Sequence, residues 1–581
     1  MAETLFGGSA MHGDIALVEA ALSARCFYRL TEIGVSFPHN RYGEYVGYKT
    51  DHDPMQRAAS AGPLTSKFMT EKLQEQVERN GIPVFDGFQV IGILTDRKKS
   101  RSIGLLTLNL NELETPDHRY ALFNCTNIIY ATGGPAGMYA SSVYPESQTG
   151  SSGLAFEAGV TGQNLTESQF GIASLPYRWN LSGTYQQVLP RYVSTDMNGN
   201  DEREFLNYYF DDPGRMLDAV FFKGYQWPFD PGKVLRYGSS LIDILVYHET
   251  VVRKRRVFLD YAKNPSSALK NGDLDFSLLG TESSRYLKRS GACFGQPIER
   301  LIRMNKPAVE LFYDHGIDLG KEYLEIAVCA QHNNGGLRGN IWWESNVKHF
   351  FPVGEVNGSH GVFRPGGSAL NSGQVGGIRA AQFISHRYGE EPPGIDTFLD
   401  TGKSQIEEKL NMGGNFLETG KESTVSAIRT AIGKRMDLCG SVIRSLDTAR
   451  SGMNEARNML DHLVERTRLD SVQELPGAFK NYDLLLSQYV YLSAIVDYIE
   501  HRGKSRGSFF VQDAEGVLPS DNLPEIFRFS LDNRELSGRI QGVSLDDKTC
   551  RFEWEPVRPI PGDEGWFENV WNDFLEDRII T

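Results

Sequence analysis

The chain has 581 residues, 40% of them hydrophobic and 23% charged, which is the composition of an ordinary globular protein. Because this length exceeds what one hydrophobic core usually supports, we expect two or three domains. The formal net charge of −14 would repel a phosphate backbone, and the sequence therefore argues against a nucleic-acid partner.

The 6 cysteines lie far apart and show no CxxC pair or metal-ligand spacing, which predicts buried, reduced thiols and no metal site. The sequence also holds no apolar run of about 18 residues, and its first residues lack the basic-then-apolar pattern of a secretion signal. We therefore expect no transmembrane segment and a cytoplasmic location.

The first predicted elements are two helices and several strands. Apolar residues recur at helical spacing over residues 14–34 and again over residues 66–80, and each pattern stops at a glycine. Two short apolar runs, residues 88–96 and 102–109, are separated by a charged turn, which predicts a β-hairpin. A β-branched run over residues 121–134 predicts one further strand that breaks into glycines.

That glycine turn, with the sequence ATGG, is the first candidate for chemistry. Consecutive glycines after a strand allow a sharp bend and expose backbone amides to a phosphate or a flavin edge. A plain structural turn is the alternative. Residues 149–170 continue the turn with a glycine-rich approach, a short helix over residues 153–158 and a stop at Gly159. This order of elements is typical of the later half of a nucleotide-binding α/β domain.

Three blocks of sequence, in the expected order, resemble the flavoprotein subunits of succinate dehydrogenase and fumarate reductase, and L-aspartate oxidase. The first block is the ATGG turn with its continuation, where the matching residues are Thr149, Gly150, Gly153, Ala155, Ala158, Gly159, Glu167, Gln169 and Phe170. The matching residues of the second block are His332, Gly335, Gly336, Gly354, Glu355, Arg364, Gly367, Ser368, Ala369 and Leu370. The third block is HRGKSRGSF, residues 501–509.

The resemblance implies an α/β fold: an incomplete Rossmann-like FAD-binding domain, an inserted α+β capping domain and a C-terminal helical bundle. The implied boundaries are residues 1–165 and 326–395 for the FAD-binding domain, 166–325 for the capping domain and 396–507 for the bundle. A C-terminal tail region spans residues 508–581, and its Trp-rich segment, residues 553–574, is expected to pack against the bundle or a partner.

The resemblance also implies an FAD site. Glu355 would accept hydrogen bonds from the ribityl hydroxyls, and a solvated loop carboxylate is the alternative. Residues 368–370 would form a turn against the isoalloxazine ring, and the next helix, around residues 375–383, would direct its positive end at the flavin. The full set of cofactor-binding candidates is Ala131, Thr132, Gly133, Gly134, Glu355, Gly367, Ser368, Ala369 and Leu370.

For the substrate, the resemblance implies that Arg364 and His332 hold a small carboxylate over the flavin, since guanidinium pairs with carboxylate in a bidentate way. A surface arginine and a satisfied core histidine are the alternatives. Arg191 falls near the place of the proton-donating arginine, with a surface residue of the capping domain as its alternative. His52 and Arg57 are further candidates, for which a solvated turn is an equal interpretation.

Two departures from the family pattern limit what the resemblance implies. Gly171 stands where the family has a substrate histidine, so a standard fumarate or succinate site is in doubt. The sequence contains no GxGxxG turn of the kind that cradles the FAD pyrophosphate. We therefore expect that the first βαβ unit of the family is missing and that this chain alone binds FAD weakly or not at all.

The leading hypothesis is an FAD-dependent oxidoreductase that transfers hydride between flavin and a small carboxylate-type substrate. It would work with an electron-transfer partner or a complementing N-terminal chain. The alternatives are a catalytically inactive fragment or subunit that needs a separate N-terminal chain, and a protein that binds another ligand in the cleft of the capping domain.

Overall fold

The computed structural model describes residues 1–418, 420, 422–532, 535–562 and 565–580. Among these residues, no helix combines the length and the apolar character that a bilayer crossing needs. The helices are α1 Ala2–Phe6, α2 Gly13–Glu32, α3 Thr65–Arg79, α4 Ser152–Glu157, α5 Thr184–Gln187, α6 Pro213–Lys223, α7 Leu241–Tyr247, α8 Thr281–Arg289, α9 Pro297–Asp314, α10 Ser368–Arg387, α11 Ile395–Glu418, α12 Val425–Cys439, α13 Leu446–Asp461, α14 Leu463–Arg466, α15 Leu475–Glu500 and α16 Phe567–Leu575.

The strands are β1 Tyr48–Thr50, β2 Asp53–Ala58, β3 Phe88–Thr95, β4 Ser102–Asn109, β5 Tyr120–Asn124, β6 Ile128–Tyr130, β7 Gly162–Gln163, β8 Ser168–Ser174, β9 Trp179–Asn180, β10 Arg191–Thr195, β11 Arg256–Asp260, β12 Leu269–Lys270, β13 Asp273–Leu274, β14 Leu324–Asn333, β15 Gly336–Leu337, β16 Phe350–Pro352, β17 Ile443–Arg444, β18 Phe510–Val517, β19 Arg539–Asp546 and β20 Thr549–Pro556. The strands form several small sheets rather than one large one. Some of these sheets are parallel and others are antiparallel.

The first predicted elements are confirmed, with one correction. Helices α2 and α3 and the hairpin of β3 and β4 lie where the periodicity places them, and β5 adds a third antiparallel strand to that hairpin. The prediction of one strand over residues 121–134 is wrong. The chain leaves the antiparallel sheet after Asn124, and β6 begins at Ile128 to pair in parallel with β16 instead. A change of sheet requires the break at residues 125–127.

The strands β6 and β16 form a parallel pair at the centre of the predicted FAD-binding region, with Phe350 opposite Ile128 and Pro352 opposite Tyr130. Strands of parallel sheets are usually buried on both faces. All of β16 is buried, but Ile129 at the centre of β6 is 49% exposed. One face of β6 is therefore open to solvent.

A five-stranded antiparallel sheet, in the order β10-β11-β14-β8-β9, carries the region predicted as the capping domain. Its long strands β14 and β8 pair from Ile326 opposite Ser174 to Asn333 opposite Ser168. The last residues of β14 lie next to the turn that follows β16, because the Asn333 amide donates to Glu355. The sheet thus reaches from the capping region to the carboxyl end of the parallel strands.

The helical region and the C-terminal region share one core. Helix α15 is buried on nearly all sides from Leu484 to Tyr498, and α11, α12 and α13 pack against it. The β19–β20 hairpin packs against this bundle: it joins β7 and β15 in a four-stranded sheet, and its Trp554 indole donates to Asp497. Helix α16 has no buried residue.

Candidate active site

Two glycine-rich turns meet at the carboxyl end of the parallel strands. The ATGG turn follows β6 directly, and Gly354 and Glu355 follow β16. An added Cβ at Gly134 would lie 2.4 Å from the Glu355 carboxylate. In open α/β sheets, ligands bind outside the carboxyl ends of the strands, so the two turns lie where a ligand is expected.

Glu355 is held by two donors from the protein. The Tyr144 hydroxyl lies 2.5 Å from both carboxylate oxygens, and the Asn333 amide donates at 2.8 Å. Burial raises the pKa of Glu355, and these two donors together with the charge of Arg364 oppose the shift. A carboxylate offers about four acceptor positions, so acceptor capacity remains for a ligand. The Glu355 side chain therefore lies in an ordered polar environment next to both glycine turns.

Helix α10 begins earlier than predicted. Gly367 is its N-cap with φ of 85°, a left-handed conformation that glycine adopts without strain, and Ser368 is the first helical residue. The prediction of a turn at residues 368–370 is therefore wrong, since these residues form the first turn of the helix. The positive end of this 20-residue helix lies one short segment after Glu355 in the chain.

Bare backbone lines this end of α10. An added Cβ at Gly354 or Gly377 would meet nothing within 4 Å, and one at Gly373 would meet only the Gly354 Cα at 3.6 Å. A cavity of ≈ 410 Å³ adjoins the Gly366–Ser368 segment and is lined mainly by α2, β2 and the first turns of α10. Glu355 does not line this cavity. The bare backbone of the glycine turns and the free acceptor positions of Glu355 are the features that a flavin with its hydroxyl chain requires.

Arg364 is the buried cation of the site. Its guanidinium donates to the Gln169 amide oxygen from Nε at 3.2 Å and from Nη2 at 2.5 Å, and to its own neighbour's carbonyl at Pro365. Burial lowers the pKa of Arg364 to about 10, while Glu355 and Tyr144 oppose the shift. The guanidinium is therefore still charged at neutral pH, and it forms no ion pair with any described carboxylate.

Two neutral histidines lie beside Arg364. His332 and His360 are both buried, with ring centroids 5.7 Å apart. Burial and the Arg364 charge lower the pKa of His360 to about 3 and hold the pKa of His332 well below its usual value. His332 Nδ1 lies 3.1 Å from the Asn334 amide oxygen, whose amide nitrogen donates to backbone carbonyls. Nδ1 is therefore the protonated nitrogen, and Nε2 presents a lone pair with no partner among the described residues.

The space beside Gly171 is filled by a tryptophan. An added Cβ at this position would lie 2.6 Å from Nε1 of Trp227, so the backbone tolerates no side chain there. The indole nitrogen is buried and has no hydrogen-bond partner among the described residues. The glycine that departs from the family pattern is therefore required by a residue 56 positions later in the chain.

Arg191 lies in a different environment. It pairs with Asp260 at 2.7 Å, with Glu204 at 3.2 Å and with Glu202 at 3.2 Å. Asp260 follows Leu259, which faces Leu324 at the start of β14. His332 is eight residues further along that strand, or about 25 Å at 3.3 Å per residue. The structure does not bring Arg191 together with Arg364 and His332.

The two remaining candidates, His52 and Arg57, have different neighbours. The His52 ring packs on Phe363 at 4.6 Å, next to Arg364 in the chain, and lies 3.5 Å from Asp51. Arg57 donates to Asp53 and lines the cavity beside α10. Both lie near the site, but each is engaged by an acidic neighbour.

The third sequence block has a structural role. Arg506, from HRGKSRGSF, pairs with Glu167 at 2.8 Å, and both side chains are buried. The two matching motif residues are 339 positions apart in the chain. This pair ties the start of β8 to the C-terminal region.

No family model matches the chain. The sequence is similar to a fumarate reductase (CoM/CoB) subunit of Methanothermobacter marburgensis, with 28% identity over 247 residues, which is 40% of this chain and 40% of that protein. A fumarate reductase flavoprotein subunit of Proteus vulgaris is 28% identical over 172 residues, 29% of this chain and 27% of that protein. Over these segments the chain is similar to proteins named as fumarate reductase subunits.

Several solved structures share the fold of this chain. A quinol fumarate reductase FrdA structure of E. coli has a TM-score of 0.69 at 17% identity and covers 96% of this chain and 87% of that one. Adenylylsulfate reductase of Archaeoglobus fulgidus has a TM-score of 0.62 at 12% identity and covers 97% and 85%. The sequence matches to curated relatives span less than half the length of each relative.

Three residues near the site were not predicted from the sequence motifs. Tyr144, Trp227 and His360 lie within hydrogen-bonding or packing distance of the predicted residues, but the first two have no counterpart in any motif. His360 lies between Glu355 and Arg364 in the sequence, and this position indicates that it belongs to the same site. Tyr144 and Trp227 became visible only through their contacts.

Proposed function

We propose that the chain is the flavin-binding part of an oxidoreductase that moves hydride between FAD and a small carboxylate-type substrate. The observation that carries the proposal is the position of Arg364. This charged guanidinium, which has no carboxylate partner among the described residues, is buried beside His332 and next to the turn that holds Glu355. A buried cation without a directly paired carboxylate is costly unless an anion binds it.

On the flavin side, Glu355 would accept hydrogen bonds from the ribityl hydroxyls with the acceptor positions that Tyr144 and Asn333 leave free. The backbone at Gly133 and Gly134 would lie against the ring system, and the positive end of α10 would face its pyrimidine edge. A bound flavin would supply the hydride donor or acceptor. Tyr144 positions the Glu355 carboxylate for this contact.

On the substrate side, Arg364 binds a carboxylate with the N–H donors that it does not spend on Gln169 and Pro365. The Nε2 lone pair of His332 accepts a hydrogen bond from the substrate, because Nδ1 carries the ring proton. Burial of both groups excludes water from the site and strengthens their effect on a developing charge. The proposal assigns Arg191 no catalytic role.

The test combines flavin retention with substrate chemistry. The purified chain is incubated with FAD, passed through gel filtration and assayed for flavin absorbance, and dithionite-reduced samples are then mixed with unsaturated dicarboxylates. The proposal is supported if the wild-type chain retains flavin and Glu355→Gln weakens flavin binding about tenfold or more. Glu500→Gln, on the exposed end of α15, is the matched control. A chain that retains flavin equally well in both variants would contradict the role of Glu355.

A second candidate function is supported by the open face of β6. Ile129 is 49% exposed on a parallel strand, and the sequence has no GxGxxG turn for the pyrophosphate. According to this second proposal, the chain is a subunit whose FAD site is completed by a separate polypeptide that carries a GxGxxG turn. Co-expression with such a polypeptide should raise flavin retention severalfold, whereas unchanged retention would favour the first version.

A further inference from the structure

Four buried polar groups share one face of the sheet at the site. Gln169 and Gly171 are two residues apart on β8, so their side-chain positions point to the same face about 7 Å apart. His332 lies opposite Gln169 on β14, and directly opposite residues share a face. Arg364 binds Gln169 on this face. The Trp227 nitrogen occupies the side-chain position of residue 171 and so lies on the same face.

Two of these groups lack a protein partner. The Trp227 N–H and the His332 Nε2 lone pair are both buried without a hydrogen bond among the described residues. Buried polar groups are nearly always paired, so each unpaired atom needs an explanation. An indole N–H can only donate, and His332 Nε2 is the unprotonated nitrogen and can only accept. The unmet needs are thus one acceptor oxygen at Trp227 and one donor at His332, and the inference concerns the acceptor at Trp227.

We propose that Trp227 is a substrate-binding residue whose N–H donates to a second oxygen of a substrate that Arg364 holds by its carboxylate. The inference rests on the proposed function, since it takes Arg364 as the carboxylate-binding cation, and it narrows the substrate class to acids with two acceptor groups. Trp227 stands in the space where the superfamily pattern has a histidine at residue 171. The donor therefore comes from the segment between α6 and α7 rather than from β8.

The decisive variant is Trp227→Phe, which keeps an aromatic ring and removes the N–H. Binding of fumarate and of acetate to the purified chain is measured by calorimetry. The variant should bind fumarate about tenfold more weakly and acetate unchanged, because acetate occupies Arg364 alone. Trp179→Phe, in the same sheet and stacked on Tyr177, is the matched control and should leave both affinities unchanged.

A rescue experiment separates binding from packing. Gly171→His alone would place its Cβ against the indole and should lower fumarate affinity. Trp227→Ala alone removes the donor. The double variant, Gly171→His with Trp227→Ala, has room for the imidazole and should recover part of the lost affinity. Circular dichroism and thermal unfolding establish that each variant is folded.

The outcomes distinguish the inference from the function that it rests on. If Arg364→Gln abolishes fumarate binding while Trp227→Phe leaves it unchanged, the proposed function stands and the role of Trp227 is wrong. If fumarate and acetate both fail to bind the wild-type chain, both proposals are overturned. Equal weakening of fumarate and acetate by Trp227→Phe would also overturn the inference, since it indicates a general disturbance of the site.

Discussion

Two buried arginines of this chain, Arg191 and Arg364, differ in their partners. Arg191 contacts three carboxylates and a tyrosine hydroxyl, and these hydrogen bonds raise its pKa above the usual value although burial alone would lower it. Arg364 contacts an amide oxygen and a backbone carbonyl, and burial lowers its pKa to about 10. Arg191 is neutralised within the protein, whereas Arg364 carries a charge that a bound anion would neutralise.

The partners of a buried arginine separate a structural role from a ligand-binding role in this chain. A guanidinium that is saturated by buried carboxylates has few N–H groups left for a ligand and contributes to stability. A guanidinium held by neutral acceptors keeps its charge available. The same residue type in two motif-like positions can therefore have opposite roles, and the partners decide which.

The largest effect is expected from breaking the Arg191 cluster. Arg191→Gln leaves Asp260, which is 1% exposed, without its cation, and the free energy of unfolding should fall by about 3–5 kcal/mol. Denaturant unfolding measures this loss, and fumarate affinity should change less than about twofold. A large loss of affinity with normal stability would contradict the structural role and restore Arg191 as a site residue.

The next effect is expected from Arg364→Gln. Loss of two charge-assisted hydrogen bonds to a carboxylate should weaken fumarate binding about a hundredfold, measured by calorimetry. Arg364→Lys should recover only part of the affinity, because an ammonium cannot bind bidentately. Unaltered binding in Arg364→Gln would show that the anion binds elsewhere.

A third change makes Arg364 resemble Arg191. Gln169→Glu places a carboxylate where the guanidinium now meets an amide oxygen at 2.5 Å. The new ion pair competes with the substrate, so fumarate affinity should fall about tenfold while the thermal midpoint is maintained or rises. Gln74→Glu, on the exposed side of α3, is the control. Tighter fumarate binding in Gln169→Glu would contradict the inference that Arg364 lacks a paired carboxylate and is free to bind the substrate's.

The smallest effect concerns pH. The pKa of His360 is about 3 in the folded chain, through burial and Arg364, against an ordinary value of 6.5. The unfolded state therefore binds more protons below pH 6.5, and this histidine's contribution to stability is full above pH 6.5 and declines as the pH falls towards 3. Its neighbours His332 and Arg364 are the titratable groups that face it in the site.

The measurement is the difference between wild type and His360→Asn. Between pH 6 and 5 the wild-type unfolding free energy should fall by about 1 kcal/mol per pH unit more than that of the variant. Other groups, such as Glu19 with its pKa raised to about 7 by burial, titrate in both proteins and cancel in the difference. Parallel pH profiles would mean that His360 is not held neutral. His118→Asn, at an exposed position, is the control.

Local sequence patterns predicted the framework of the site well. The ATGG turn and the Gly354-Glu355 turn lie together, because each follows a short parallel strand and both strands end at one edge. The helices at residues 14–34 and 66–80 and the hairpin at residues 88–109 were also correct. These features depend on periodicity and on turn residues a few positions apart, and such information is local.

Other predictions failed where long-range contacts compete with local preference. Residues 121–134 read as one strand, but the chain changes sheets because β16, more than 200 residues later, is the parallel partner of β6. Residues 368–370 read as a turn, but Gly367 adopts the left-handed cap and starts the helix earlier. In both cases the presence of an element was predicted correctly and its boundary was not.

The sequence by itself determined the resemblance to fumarate reductase flavoproteins and the glycine turns, because short motifs preserve order and spacing. Only the tertiary structure decided which arginine is neutralised, since Asp260 lies 69 residues from Arg191. It also decided that the Trp227 indole fills the space at Gly171 and that Tyr144 holds Glu355. Charge compensation and steric exclusion depend on distances in space, and distant segments of the chain supply them.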